Sequence, residues 1–229
     1  MEQLVLDLGL APVPTLGNFV PDGNEAVWTH LRAWAQGQPR APVPIYLWGP
    51  AGSGKTHLLQ AVAQALQGRG EAVGWLSPDV RHPGAFDEAW SAVLFDDVQH
   101  YTPEQQAAAF NWFVNAQSPA TGPQRAVLAS GDRPPTDLPL REDLRSRLGW
   151  GHVFQLQPLT EPARRAVLRR AADARGIALS DDVIDFMLNR FSRDLSSLMA
   201  LLDRLDGYAL RAQRAITVPL LRAMLAADG

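Results

Sequence analysis

Short apolar runs recur through the first two thirds of the chain, at residues 45–48 (IYLW), 71–76 (EAVGWL), 92–95 (AVLF), 126–129 (AVLA) and 153–156 (VFQL). Each is too short for a helix and has the length of a buried strand. Segments of helical spacing lie between them. Ala26, Val27, His30, Leu31 and Trp34 share one face of residues 26–36, and Leu58, Leu59, Val62 and Leu66 share another. Residues 103–115 open with Thr102 as a cap and Pro103 at the first helical position, and carry Phe110, Phe113 and Val114 as an apolar stripe. This alternation predicts an α/β domain with a mostly parallel sheet over residues 18–158. Strand signals then stop. Residues 162–175, 181–191, 194–214 and 219–226 read as helices, the second capped by Ser180, so residues 159–229 are expected to form a small all-helical domain. At the other end, Leu4, Leu6 and Leu8 alternate ahead of a Pro/Gly-rich stretch. Residues 1–17 therefore read as a tethered peptide and linker.

The first apolar run feeds directly into Gly49-Pro50-Ala51-Gly52-Ser53-Gly54-Lys55-Thr56-His57, and the helical pattern begins at once. Strand, GxxxxGK[ST] and helix in that order form a phosphate-binding loop. Glycines let successive backbone N–H groups turn toward one anion, and the following helix adds its positive end. Lys55 would reach the terminal phosphates, and Thr56 would offer a hydroxyl to Mg²⁺. Among 21 basic residues Lys55 is the only lysine. A compact ammonium on a flexible stem suits this loop better than a forked guanidinium. The third apolar run ends in Asp96 and Asp97, with Asp96 placed to hold Mg²⁺ and Asp97 to orient water. The fourth ends near Ser130 and Asp132, either of which could sense a terminal phosphate. Phe19 and Val20 precede the domain where an adenine base is commonly sandwiched, though both could simply be core.

Composition narrows the classes. The net charge of −3 argues against a broad basic surface for nonspecific nucleic-acid binding. There is no cysteine, and the five histidines form no ligand-spaced pair. No apolar run is long enough to span a bilayer, and Met1-Glu2-Gln3 lacks the basic start of a signal peptide. A cytoplasmic protein is the expectation. Four arginines, 164, 165, 169 and 170, cluster on the first C-terminal helix and read as a solvated face.

Taken together, the order of motifs resembles an AAA+ ATPase. Phe19-Val20 with Asn24, the Leu94-Phe95-Asp96-Asp97-Val98-Gln99 run, Ser130-Gly131-Asp132-Arg133-Pro134 and Ser146-Arg147-Leu148-Gly149-Trp150-Gly151 resemble the ATPase region of the replication initiator DnaA. The sequence given stops at Gly229, without the DNA-binding domain that follows in initiators, and begins with Gln3-Leu4-Val5-Leu6-Asp7-Leu8, which is similar to sliding-clamp docking peptides. That combination resembles the Hda family of DnaA-related regulators. The resemblance implies binding of ADP or ATP with Mg²⁺. It implies docking of Gln3, Leu4, Leu6 and Leu8 on the clamp, so that DNA is reached through the clamp. It further implies that Arg147 acts as an arginine finger on a neighbouring DnaA, and that Arg193 contacts the chain's own phosphates. Arg141 and Arg145 are alternatives for the finger, and a homo-oligomer is possible. Asp97 is short for a water-activating base, so slow intrinsic hydrolysis is expected. The main rival is an AAA+ helicase loader, which needs a helicase-binding domain that sixteen residues do not make. A small-molecule kinase or a noncatalytic adaptor could use the same loop. A GTPase is disfavoured, because an Asn-Lys-x-Asp motif needs a second lysine.

Overall fold

The computed structural model of the chain describes residues 13–37, 41–191 and 195–227. Two compact units separate, one from Pro14 to Pro158 and one from Leu159 onward. The first holds five strands, β1 (Ile45–Trp48), β2 (Ala72–Leu76), β3 (Trp90–Phe95), β4 (Ala126–Gly131) and β5 (His152–Gln155). Their order across the sheet is β2-β3-β4-β1-β5, and every neighbouring pair is parallel. Four helices belong to this unit: α1 (Glu25–Gln36), α2 (Lys55–Gln67), α3 (Pro103–Gln117) and α4 (Glu142–Leu148).

Side-chain alternation builds a core on each face of the sheet. Ile45 and Leu47 of β1 and Leu94 of β3 pack with Leu31 of α1 and with Leu58 and Val62 of α2. The intervening residues, Tyr46, Val93 and Phe95, join Phe113 of α3 and Leu144 and Leu148 of α4 on the opposite face. A parallel sheet covered on both faces needs apolar residues at every position, which is why the strands read as unbroken runs. Each such leucine contributes about 1.5–3 kcal/mol of burial.

Two features depart from the sequence reading. The buried face of α3 is Ala109, Trp112, Phe113 and Ala116, while Phe110 and Val114 are half-buried. The larger indole sets the helix rotation, with Trp112 packing edge-on against Trp90 at 4.6 Å and lying 6.3 Å from Phe95. Secondly, α4 is a seven-residue helix inside the Arg-rich segment, anchored by Leu144 and Leu148 one turn apart. At the start of α3 the expected cap is present as a full capping box between Thr102 and Gln105.

The second unit consists of α5 (Glu161–Asp173), α6 (Asp181–Arg190), α7 (Leu195–Ala212) and α8 (Val218–Ala227). Its own core includes Leu168, Val183, Ile184, Met187, Leu198, Leu202 and Leu221. Ser180 stands at the N-cap of α6, but its side chain makes no capping hydrogen bond. Part of the arginine cluster is internally paired: Arg165 with Asp185 and Asp181, and Arg169 with Asp181. Such exposed pairs are worth at most about 1 kcal/mol each. Among the described residues no helix is long and apolar enough to cross a membrane.

Candidate functional site

Because β1, β3 and β4 are parallel, their carboxyl ends lie at one edge of the sheet, and the loops leaving them converge there. The loop after β1 is Gly49–Gly54. Gly52 and Gly54 have φ of 75° and 93°, a left-handed backbone that only glycine adopts without strain. A Cβ on Gly49 would sit 2.4 Å from the Leu156 carbonyl oxygen, and one on Gly54 would sit 2.8 Å from the Phe19 ring. Pro50, Ala51 and Gly52 are exposed at the crown of the loop, whereas Ser53 is buried and its Oγ has no hydrogen-bond partner.

Lys55 opens α2 and is only 7% exposed. Its Nζ donates to the carbonyls of Gly49 and Pro50 at 3.0 and 3.1 Å, so the ammonium is held inside the curl of the loop. Burial pushes its pKa down, and the carboxylates of Asp97, Asp96 and Asp132 partly restore it. Next in the chain, the Thr56 hydroxyl donates to Asp96 Oδ1 at 3.1 Å. The same carboxylate oxygen accepts the Ser130 hydroxyl at 2.6 Å. Burial raises the Asp96 pKa, and the two hydroxyl donors oppose that shift. A cavity of about 290 Å³ opens beside Thr56 and Asp96, with Gln60, Gln64, Ser77 and Asp79 also on its wall.

Asp97 is one of two described non-glycine residues with positive φ, at 48°. Its N–H donates to Ser130 Oγ at 2.9 Å, and its Oδ1 accepts Gln99 Nε2 at 3.3 Å. Ser130 is thus fully buried and committed to the two acids. The Asp132 carboxylate accepts Nε and one terminal nitrogen of Arg133, at 2.9 and 2.8 Å, and that bonding holds its pKa below the usual range. Phe19 lies against the loop with its ring 5.7 Å from that of His57, and His57 Nε2 is 3.3 Å from the Thr15 carbonyl oxygen. Burial lowers the His57 pKa. Val20 is half-buried beside Phe19.

The arrangement suits a polyphosphate. An anion in the loop would give acceptors to the Lys55 ammonium and the buried Ser53 hydroxyl. Thr56 and Asp96 are near enough to share one small cation. No group of three acidic or imidazole side chains able to hold a metal occurs among the described residues. Mg²⁺ would accordingly depend on phosphate oxygens and water for the rest of its shell.

The three candidate finger arginines differ. Arg141 pairs with Asp143 at 2.7 Å. Arg147 has no carboxylate partner among the described residues; its guanidinium lies 5.1 Å from the Phe110 centroid and 6.0 Å from that of Phe113, and its Nε is buried without a hydrogen bond. Arg145 is half-buried on the same helix. Arg193 and the peptide residues Gln3, Leu4, Leu6 and Leu8 lie outside the described residues.

Three contributors were given no role by the sequence, although Asn24 and Gln99 lie in stretches that carry the resemblance. The Tyr46 hydroxyl, fully buried, donates to the Arg133 carbonyl at 2.8 Å. Burial drives its pKa well up. Asn24 exchanges two hydrogen bonds with the Gln157 backbone, at 2.9 and 2.8 Å. Gln99 bridges Asp97 to the Asp132 N–H, which it accepts at 3.2 Å. All three depend on partners far away in sequence.

Comparison with known proteins places this geometry. Residues 161–225 match the family model described as the Hda lid domain. The structure of domain III from Thermotoga maritima DnaA superposes with a TM-score of 0.77 at 23% identity, over 95% of this chain and 97% of that one. AMPPCP-bound DnaA from Aquifex aeolicus gives 0.69 at 24% identity, over 86% and 66%. The Thermotoga maritima RuvB branch-migration motor gives 0.67 at 17%, over 93% and 72%. By fold, then, the chain is built like DnaA domain III, and its residues 161–225 match the family model of the Hda lid domain.

Proposed function

We propose that this chain is a nucleotide-bound negative regulator of replication initiation that stimulates ATP hydrolysis on DnaA. The observation that carries the reading is the Hda lid match at residues 161–225, joined to a phosphate-binding loop in a DnaA-like fold. Residues 18–158 serve as the nucleotide-binding domain and 159–229 as the lid. Gly49–Gly54, Lys55 and His57 surround ADP or ATP, with ADP in the working form, and Phe19 and Val20 flank the base. Thr56 and Asp96 hold Mg²⁺, Asp97 orients water, Asp132 senses the terminal phosphate, and Arg193 is assigned to nucleotide binding. In favour of this are the buried, loop-bound lysine and the Thr56–Asp96 contact at 3.1 Å.

Arg147 is the finger offered to a neighbouring DnaA. Stacking on Phe110 orients the guanidinium without a carboxylate consuming its donors, and Trp150 beside it is 73% exposed, as a partner-facing side chain would be. An arginine placed on developing phosphoryl charge is worth about 10³–10⁵ in rate. Gln3, Leu4, Leu6 and Leu8 tether the molecule to the sliding clamp in the cytoplasm, so DNA is met through that ring.

The test follows phosphate release from ATP-bound DnaA with clamp loaded on DNA. The chain is expected to accelerate hydrolysis, and Arg147→Ala to abolish the acceleration while retaining nucleotide. Equal acceleration by Arg147→Ala removes the finger. Combined Gln3→Ala and Leu4→Ala should abolish clamp pull-down and leave nucleotide binding intact; undiminished pull-down removes the tether.

A further inference from the structure

We propose that Gln99 is a positioning residue for hydrolysis of the nucleotide in this chain's own site, holding Asp97 in register with the end of β4; this rests on the nucleotide-binding reading above. Gln99 follows Asp97 in a short 3-10 turn, Val98–His100. Its side chain meets two groups that allow no exchange of roles. The Asp132 N–H can only donate, and Asp97 Oδ1 is the acceptor of the second contact. The amide oxygen therefore faces Asp132 at 3.2 Å, and the amide nitrogen faces Asp97 at 3.3 Å. A glutamine offers one acceptor and one donor in that arrangement without having to take up a proton. An isosteric glutamate could keep the first contact and would oppose a second carboxylate in the other.

The surroundings show why Asp97 needs such a restraint. Its backbone is left-handed, a conformation that is costly for a residue other than glycine. Ser130 fixes its N–H, and Gln99 fixes one of its carboxylate oxygens. The end of β4 is itself pinned: the Tyr46 hydroxyl bonds the Arg133 carbonyl, and a Cβ on Gly131 would come within 1.9 Å of that hydroxyl and 3.4 Å of Gln99 Oε1. Gln99 thus ties the acid that would face water to the residue that follows β4. In the reaction a water oxygen bonds the terminal phosphorus, its proton passes to Asp97, and the phosphoanhydride bond breaks with its electron pair on the departing ADP. A general base must keep within hydrogen-bond reach of that water, and a displacement near 1 Å can cost about a hundredfold.

The experiment is single-turnover hydrolysis of ATP with the protein in excess, alongside equilibrium titration of ATP. Gln99→Glu and Gln99→Ala should each slow hydrolysis about tenfold to a hundredfold, with ATP affinity near that of the wild type. The ratio of Gln99→Glu to wild-type rate should rise between pH 8 and pH 5.5, because the new carboxyl, its pKa raised by Asp97, regains a donor when protonated. Adding Gln99→Ala to Asp97→Asn should cause no further loss. Unchanged rates, a flat ratio, additive losses, or a wild type that binds ATP without turning it over would each overturn the assignment. A wild type that fails to bind ATP instead removes the nucleotide reading beneath it.

Discussion

Single side chains at this site are defined by what they do not bond as much as by what they do. Arg141 and Arg147 both reach the Phe110 ring, at 5.5 and 5.1 Å, but only Arg141 is also tied to a carboxylate. A guanidinium held over a ring keeps its exposed donors available, whereas an ion-paired one has already used some of them. His30 of α1, half-buried, shows the complementary situation. Its Nε2 is buried without a partner, and its ring touches those of His152 at 4.9 Å and Phe154 at 5.1 Å. Burial first, and the neighbouring His152 second, lower its pKa. On acidification the unfolded chain therefore binds the proton before the folded one does. The stability associated with the neutral ring is complete above about pH 6.5 and is lost as pH falls through the lower folded value. Thermal melts from pH 8 to pH 5 should fall toward acid, and His30→Phe, which keeps an aromatic ring and removes the titration, should flatten that fall. An unchanged slope would assign the acid sensitivity to other groups.

Elements were legible to the extent that their signals are local. The capping box of α3 is one such signal. Thr102→Ala should cost about 1 kcal/mol, read as a lower urea midpoint with an unchanged slope; no change would mean that packing alone sets the helix start. The strands and the loop from Gly49 to Thr56 were equally readable, since an apolar run and a glycine pattern carry their own meaning. The rotation of α3 was not, because it is set by Trp112 meeting Trp90 across the core, and hydrophobic spacing alone does not rank an indole above a phenyl ring. The helix α4 escaped notice because only Leu144 and Leu148 mark it, between prolines and a Gly-Trp-Gly turn. Within the candidate site, Asp96 and Ser130 were singled out separately, yet their 2.6 Å bond joins residues 34 apart. Gln99 stood in a motif run without a role, since its bond to the Asp132 N–H becomes apparent only when β3 and β4 lie side by side.

Across the whole molecule, the bias toward arginine has a practical outcome. The only lysine is the one buried in the loop, with its Nζ on the Gly49 and Pro50 carbonyls. An amine-directed acylating reagent therefore has two targets, the α-amino group and Lys55. Mass spectrometry of partially acylated protein should find Lys55 modified more slowly than the terminus. ATP with Mg²⁺ at a hundred times Kd should slow it about a hundredfold further; a rate indifferent to nucleotide would mean that the ligand does not cover the lysine. The same scarcity governs how the protein can be handled. Lysine-reactive cross-linkers have almost nothing on its surface to seize, so captured complexes need carboxyl or photochemical coupling instead. Immobilisation through amines, pushed to completion, would plug the very loop whose affinity it was meant to measure.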